Sequence, residues 1–265
     1  MTTDALREDR EGVAIVTLNR PDKLNAINMD MRNVIFDAVD DLRERRDLRV
    51  LLIRSTGRYF TAGVDISGGL GSSADDTDEE QLGSLVRKDY RRGLHVFLDE
   101  MEAVEKPIVM AIHAPCLGIG VEMAGAVDFR LASESAQFGL PEIDIGVLAG
   151  SGGISRFTRL CGVGWSKWLN MAGERIDAQT AQIAGFVQAI YPDETFEEEV
   201  WAFCQRLMSR PPEVQAAAKI AIELCKDLDK TQGRHVERLA NTPFMMRDNS
   251  DLVDKVMNHR EKKDS

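Results

Sequence analysis

Apolar residues along the chain follow two different periods. Apolar runs at residues 13–18 and 50–53 predict short buried strands, the continuous run 108–112 a strand of the kind covered on both faces, and 127–132 a further strand. Between the first two runs, residues 29–45 place Met31, Val34, Ile35, Ala38, Val39 and Leu42 at helical spacing. A second helix is expected over 87–104, stepping through Tyr90, Leu94, Phe97, Leu98 and Met101 up to Pro107, and 118–125 reads as the start of a buried helix. Strand and helix alternate throughout this part, so the fold class is α/β. From about Gly150 the pattern turns mostly helical, with helices expected at 164–172, 177–184, 194–209, 211–228 and 249–260. Pro211 and Pro212 suit a helix's first turn, where a missing N–H costs little. The organisation predicted is a core over 1–195 and a helical lid or assembly region over 196–265.

Turns fall where the runs end. Asn19-Arg20-Pro21-Asp22 follows the first strand and Ser55-Thr56-Gly57 the second. The stretch 68–83, with Asp75-Asp76-Thr77-Asp78-Glu79-Glu80, reads as a solvated loop. It lacks the alternating ligands and central glycine of a calcium loop. The sequence shows no internal repeat.

The formal net charge of −11 argues against a general partner among nucleic acids or acidic membranes, either of which needs a basic face. An anionic small ligand would have to be held by helix-start N–H groups and a few placed cations. Cys116, Cys161, Cys204 and Cys225 have neither metal spacing nor disulfide density, which fits a reducing cytoplasm. The four histidines, His95, His113, His235 and His259, are scattered, so no metal is expected. With a charged N-terminus and no long uncharged apolar run, the protein is expected to be soluble and cytoplasmic.

Two acids stand out against this background. Glu122 lies within Leu117-Gly118-Ile119-Gly120-Val121-Glu122-Met123-Ala124-Gly125-Ala126, and Glu142 within Phe138-Gly139-Leu140-Pro141-Glu142-Ile143-Asp144-Ile145-Gly146. Carboxylates are seldom placed in apolar segments without a partner or a task. Facing one apolar cleft, they would have their pKa values pushed up and apart by desolvation and mutual repulsion, supplying an acid and a base near neutral pH. Either one alone also fits a first-turn dipole partner or an ion pair. Small residues around Ala62-Gly63-Val64-Asp65 and Gly118-Ile119-Gly120 let backbone N–H groups project unobstructed. One such donor from the first segment and a second from Ile119 could converge as an oxyanion hole, suited to a carbonyl that becomes an enolate. No Gly-x-Ser-x-Gly elbow accompanies them.

Over nearly its whole length the chain resembles the crotonase superfamily of enoyl-CoA hydratases and isomerases. The resemblance rests on Asn19-Arg20-Pro21 with Leu24-Asn25-Ala26, Ala62-Gly63-Val64-Asp65, Gly118-Ile119-Gly120-Val121-Glu122, Phe138-Gly139-Leu140-Pro141-Glu142, and Gly150-Ser151-Gly152-Gly153 before Arg156. It implies a spiral of ββα units with a C-terminal helical region, a homotrimer or dimer of trimers, and an acyl-CoA thioester substrate, coenzyme A being part of that substrate and no separate cofactor needed. It further implies that the Val64 and Ile119 N–H groups hold the thioester oxygen, and that Lys23, Leu24, Ala26, Ala62, Gly63, Asp65 and Gly118 bind the substrate or its CoA. Glu122 would be the base on water and Glu142 the proton donor to the α-carbon. The implied reaction is that of a lyase: syn addition of water to a 2-enoyl-CoA thioester, giving 3-hydroxyacyl-CoA through a stabilised enolate.

The chain also departs from the hydratase pattern. Ala149 stands where proline is common, Ile154-Ser155 replaces Thr-Gln, and Asp144-Ile145-Gly146 resembles the dienoyl-CoA isomerase branch. That branch carries an acid where this chain has Gly150. The alternatives left open are a 3-enoyl to 2-enoyl-CoA isomerase working with Glu142 alone, an acyl-CoA hydrolase or decarboxylase, and a non-catalytic acyl-CoA-binding homologue.

Overall fold

A computed structural model of the chain describes residues 3–67 and 94–246. Two compact units divide it, residues 1–209 and 210–265.

The first unit is built on a six-stranded sheet in the order β1-β2-β3-β4-β6-β9. Its strands are β1 Ala5–Arg10, β2 Val13–Leu18, β3 Val50–Ser55, β4 Ile108–Ile112, β6 Phe129–Ser133 and β9 Ala189–Tyr191. Only β1 and β2 pair antiparallel, while every other neighbour is parallel. The apolar runs of the sequence become the central strands because both faces are covered. Ala14, Val16, Leu51, Ile53, Met110 and Ile112 enter the larger core. Their neighbours Val13, Ile15, Val50, Leu52, Val109 and Ala111 face the opposite way, against Phe196, Val200, Cys204 and Leu207. At about 25 cal/mol per Å² of apolar surface, this two-sided burial is what fixes the register, since a one-residue slip would exchange the faces.

Helix α1, Met29–Glu44, buries Met31, Ile35, Ala38, Val39 and Leu42 and is capped by Asn28, whose side chain accepts from the Met31 N–H. Helix α2 is Leu94–Ala103. The loop expected over 68–83, the beginning of the helix expected from residue 87, and the last helix expected at 249–260 lie outside the described residues. A second, three-stranded sheet joins β5 Cys116–Leu117, β7 Gln137–Gly139 and β8 Ile176–Asp177. Helix α3, Ile119–Ala126, leads from β5 back towards β6. Arg130 of β6, nearly fully buried, closes the end of α3 by donating to the carbonyls of Ala124 (2.9 Å) and Val127 (2.6 Å), and also to that of Phe186 (2.5 Å). Burial pushes this guanidinium down to about 10.

Helix α4 runs over Gly153–Asn170, beginning well before the residue-164 start expected from periodicity; Gly162, at φ +80°, interrupts its helical geometry. Helix α5, Ala178–Ile183, is capped by Asp177. Helix α6, Phe196–Met208, was assigned by sequence to the helical C-terminal region, but it covers the second face of the sheet and belongs to the first unit. The compact units therefore divide after Ser209, where the sequence placed a boundary after residue 195.

In the second unit, α7 Pro212–Cys225 and α8 Lys230–Met245 form a helical pair, with Pro212 opening the first and an Asp229–Gln232 capping box opening the second. Neither helix buries a residue on its own. Among the described residues no helix is long and apolar enough to cross a membrane, and no cluster of three or more His, Cys, Asp or Glu could hold a metal ion.

Candidate active site

Three chain turns meet at the site. The first carries residues 20–27. Leu24 and Asn25 both adopt left-handed conformations, at φ +53°. Fully buried Asn25 makes this tolerable: its Oδ1 accepts from the Arg20 N–H (2.7 Å) and its Nδ2 donates to the carbonyls of Thr56 (2.6 Å) and Tyr59 (2.9 Å). The Thr61 hydroxyl donates to the Asn25 carbonyl (2.7 Å) and accepts from the Gly63 N–H (3.2 Å), tying the second turn to the first. Ala62 N–H donates to Leu24 O (2.9 Å), Ile27 N–H to Gly63 O (2.8 Å) and Asp65 N–H to Ile27 O (3.0 Å). This ladder occupies one side of the strand and turns the Val64 N–H to the other. Arg20 braces the arrangement from beneath, donating to Ala26 O (3.2 Å) and pairing with Asp65. Hydrogen bonds from Ser67 and then Arg20 hold the Asp65 carboxyl well below the usual range.

The third turn starts α3. Gly118 sits at φ +57°, ψ −125°, a region open only to glycine, and donates its N–H to Gly139 O (3.0 Å). A Cβ placed there would lie 3.4 Å from Gly63 Cα and 3.0 Å from Glu142 Oε1. The second and third turns are therefore in contact, with the Glu142 carboxylate against them. Ile119, as first residue of α3, has an N–H without an intrahelical acceptor. Neither the Val64 nor the Ile119 N–H donates to another described residue.

Glu122 is 4% exposed. Its Oε1 accepts from the N–H groups of Ser151 (2.7 Å) and Gly153 (3.0 Å), which leaves Oε2 available. Gly153 must be glycine for this approach, since a Cβ there would fall 2.8 Å from Glu122 Cγ. Burial first, and then the charge of Glu142, push the Glu122 carboxyl from the ordinary 4.5 up to about 7. Glu142 lies on the 3-10 turn Pro141–Ile145, and burial raises its carboxyl too. Its Oε2 is buried without a hydrogen-bond partner among the described residues. Buried carboxyl oxygens are seldom left unpartnered, which marks Glu142 as a candidate functional group.

Of the residues singled out by sequence, Leu24, Ala26, Ala62, Gly63, Val64, Asp65, Gly118, Ile119 and Glu142 are brought together by these three turns, and Glu122 is tied to them by the charge of Glu142, which raises its proton affinity. Lys23 stands at the exposed edge, and the Ala26 N–H is already given to the Lys23 carbonyl (2.9 Å). The backbones of Leu24 and Ala26 thus serve the turn itself. Sequence reasoning did not assign roles to Asn25, Arg20, Ser151 or Gly153. Their signal was the motifs around them; their partners lie too far along the chain for spacing to reveal.

A family model for enoyl-CoA hydratase/isomerase matches residues 8–264. The crotonyl-CoA hydratase of Syntrophomonas wolfei is 34% identical over 204 residues, spanning 77% of this chain and 75% of that protein. The short-chain-enoyl-CoA hydratase of Clostridium acetobutylicum is 31% identical over 216 residues, 81% of this chain and 79% of its own length. A Delta(3,5)-Delta(2,4)-dienoyl-CoA isomerase of Dictyostelium discoideum is 28% identical over 245 residues, covering 91% and 83%. Among solved structures, the enoyl-CoA hydratase of Bacillus anthracis superposes with a TM-score of 0.82 at 27% identity, covering 98% of this chain and 97% of that one.

Proposed function

As the chain belongs to the enoyl-CoA hydratase/isomerase family, we propose that it catalyses the syn addition of water to a 2-enoyl-CoA thioester. The observation that carries this reading is the pair of buried carboxyl groups with raised proton affinity, set beside two undonated backbone N–H groups. In the proposed reaction the thioester oxygen accepts from Val64 and Ile119. Ionised Glu122 removes a proton from water as the water oxygen bonds C3, and the π electrons move onto the thioester oxygen as an enolate. The enolate then collapses, and the protonated carboxyl of Glu142 delivers its proton to C2. Adding water leaves Glu122 protonated and Glu142 ionised, so one proton must return before the next turnover.

The electrostatic setting supports this division of labour. A base whose pKa is about 7 is poised for transfer at neutral pH, and a well-placed acid and base each contribute on the order of 10²–10⁴-fold. The oxyanion donors are backbone groups fixed in advance by the turns around them, and one such donor is worth about 10²–10³ in rate. The α3 N-terminus at Ile119 adds favourable potential at the same oxygen.

The test is ultraviolet absorbance of the purified protein with a series of 2-enoyl-CoA thioesters of increasing chain length. Loss of the conjugated band with a 3-hydroxyacyl-CoA product supports hydration, with an acidic limb of kcat/KM near pH 7. A gain of that band from 3-enoyl-CoA, with no hydration, transfers the reading to an isomerase working through Glu142. Silence in both assays removes it in favour of a hydrolase, a decarboxylase or a non-catalytic thioester binder.

A further inference from the structure

Glu122 is held by a loop, and that loop is held in turn by Arg156. The guanidinium, 9% exposed, folds back over the start of α4 and donates from Nη1 to the Ser151 carbonyl (3.2 Å). The same residue, through the peptide bond on its other side, gives its N–H to Glu122 Oε1. Gly152, at φ +98°, makes the fold-back possible: a Cβ there would lie 1.9 Å from Nη1. On its far side the guanidinium forks onto Glu102 of α2, through Nε and Nη2 (both 3.1 Å), and Nη2 also reaches Asp99 (2.5 Å). A planar, always-charged fork can make all these bonds at once, which a lysine cannot. His95, also on α2, bonds the Gly150 carbonyl of the same loop.

We propose that Arg156 is a positioning residue for the hydration reaction: by holding the Ser151 carbonyl it fixes the loop whose Ser151 and Gly153 N–H groups converge on Glu122, and its cation favours the ionised carboxylate that acts as base. The proposal rests on the hydration reading above. The charged and titratable groups around this chain of contacts are Glu142 from the 3-10 turn, Glu122 itself on α3, Asp99, Glu102 and His95 on α2, and Arg156 on α4. Burial and Glu142 oppose ionisation of Glu122; the two N–H bonds and the Arg156 charge favour it. Arg156 is the cation that offsets Glu142, and it is linked to the base through one residue, Ser151.

The experiment follows the Glu122 carboxyl directly by ¹³C NMR titration of the full chain, assigned by the signal missing from Glu122→Gln, alongside kcat/KM against pH with a 2-enoyl-CoA thioester. Arg156→Met is made together with Glu102→Gln, so that no bidentate partner is left bare. The expected result is an upward move of the Glu122 midpoint by roughly one pH unit, with the acidic limb of kcat/KM moving equally. Arg156→Lys keeps the charge and loses the fork, so kcat should fall while the midpoint stays near wild type. Glu102→Gln alone frees the guanidinium charge and should lower the midpoint, and this variant decides the matter should the double variant fail to fold. An unmoved midpoint in the folded double variant, or in Glu102→Gln where that variant decides, overturns the proposal. So does a shift in Arg156→Lys as large as in Arg156→Met. A wild-type protein that hydrates no thioester would sink the hydration reading, while the NMR titration still judges the coupling of Arg156 to Glu122.

Discussion

Glu122→Gln should make the protein more stable and nearly inactive at the same time. The substitution keeps an oxygen to accept from Ser151 and Gly153 while removing the charge. In the unfolded chain Glu122 titrates near 4.5, and in the folded protein near 7. A carboxyl raised in this way favours folding fully below its unfolded value and loses that contribution as pH climbs through the folded one. Between pH 4.5 and about 7, at roughly 1.4 kcal/mol per pH unit, the wild type therefore gives up on the order of 3 kcal/mol that the glutamine variant keeps. The two proteins should be close in stability near pH 4.5 and separate above pH 7. For a unit of this size that is about 6–12 °C in Tm at pH 8. Urea unfolding from pH 4.5 to 8.5 measures the difference, in which every other titrating group common to both proteins cancels. Hydration should meanwhile fall by about 10²–10⁴-fold. Parallel stability curves across this window, or a variant less stable than wild type at pH 8, would refute the reasoning that burial dominates the proton affinity of this acid.

Other expectations concern neighbouring residues. Glu142→Gln should lower hydration by about 10²–10⁴-fold while thioester binding, followed by calorimetry, persists; equal activity would remove Glu142 from the reaction. Gly118→Ala puts a methyl group 3.0 Å from Glu142 Oε1 in a backbone conformation alanine avoids, so kcat should drop by at least the ~10²–10³ associated with one oxyanion donor. Stopped turnover with unchanged circular dichroism would be the expected pattern. Arg130→Met leaves three buried carbonyls without their donor and should cost roughly 3 kcal/mol or more in denaturant unfolding, because each unsatisfied group costs ~1–3 kcal/mol.

The central strands were legible in sequence because burial on both faces writes itself as an unbroken apolar run, as in Ile108–Ile112. Helix α1 was legible because one face only is buried. Strand β1 was not: as the antiparallel edge it exposes Glu8, Asp9 and Arg10, and its composition reads as a charged tail. Strands β5, β7 and β8 span two or three residues, too few to show a period. The first half of α4 was hidden by its glycines, and α8 by Gly233 and Pro243, which its capping box offsets. At the site, Glu122 and Glu142 stood out as acids among apolar neighbours. Asn25 and Arg156 look ordinary in sequence, since what distinguishes them is a carbonyl or carboxylate many residues away.

The ties among the three turns have a consequence for the order in which the chain folds. Val64 is set by pairing with Ile27, Thr61 by pairing with Cys116, and Glu122 by peptides beyond residue 150. Each of these closes a long loop, and such closures come late because their entropy must be met before contacts repay it. Until then Glu122 and Glu142 remain ordinary solvated acids. The electrostatic cost of housing them thus falls after the folding barrier, where it leaves the folding rate nearly untouched and accelerates unfolding instead. Alkaline pH should therefore shorten the lifetime of the folded chain without slowing its formation.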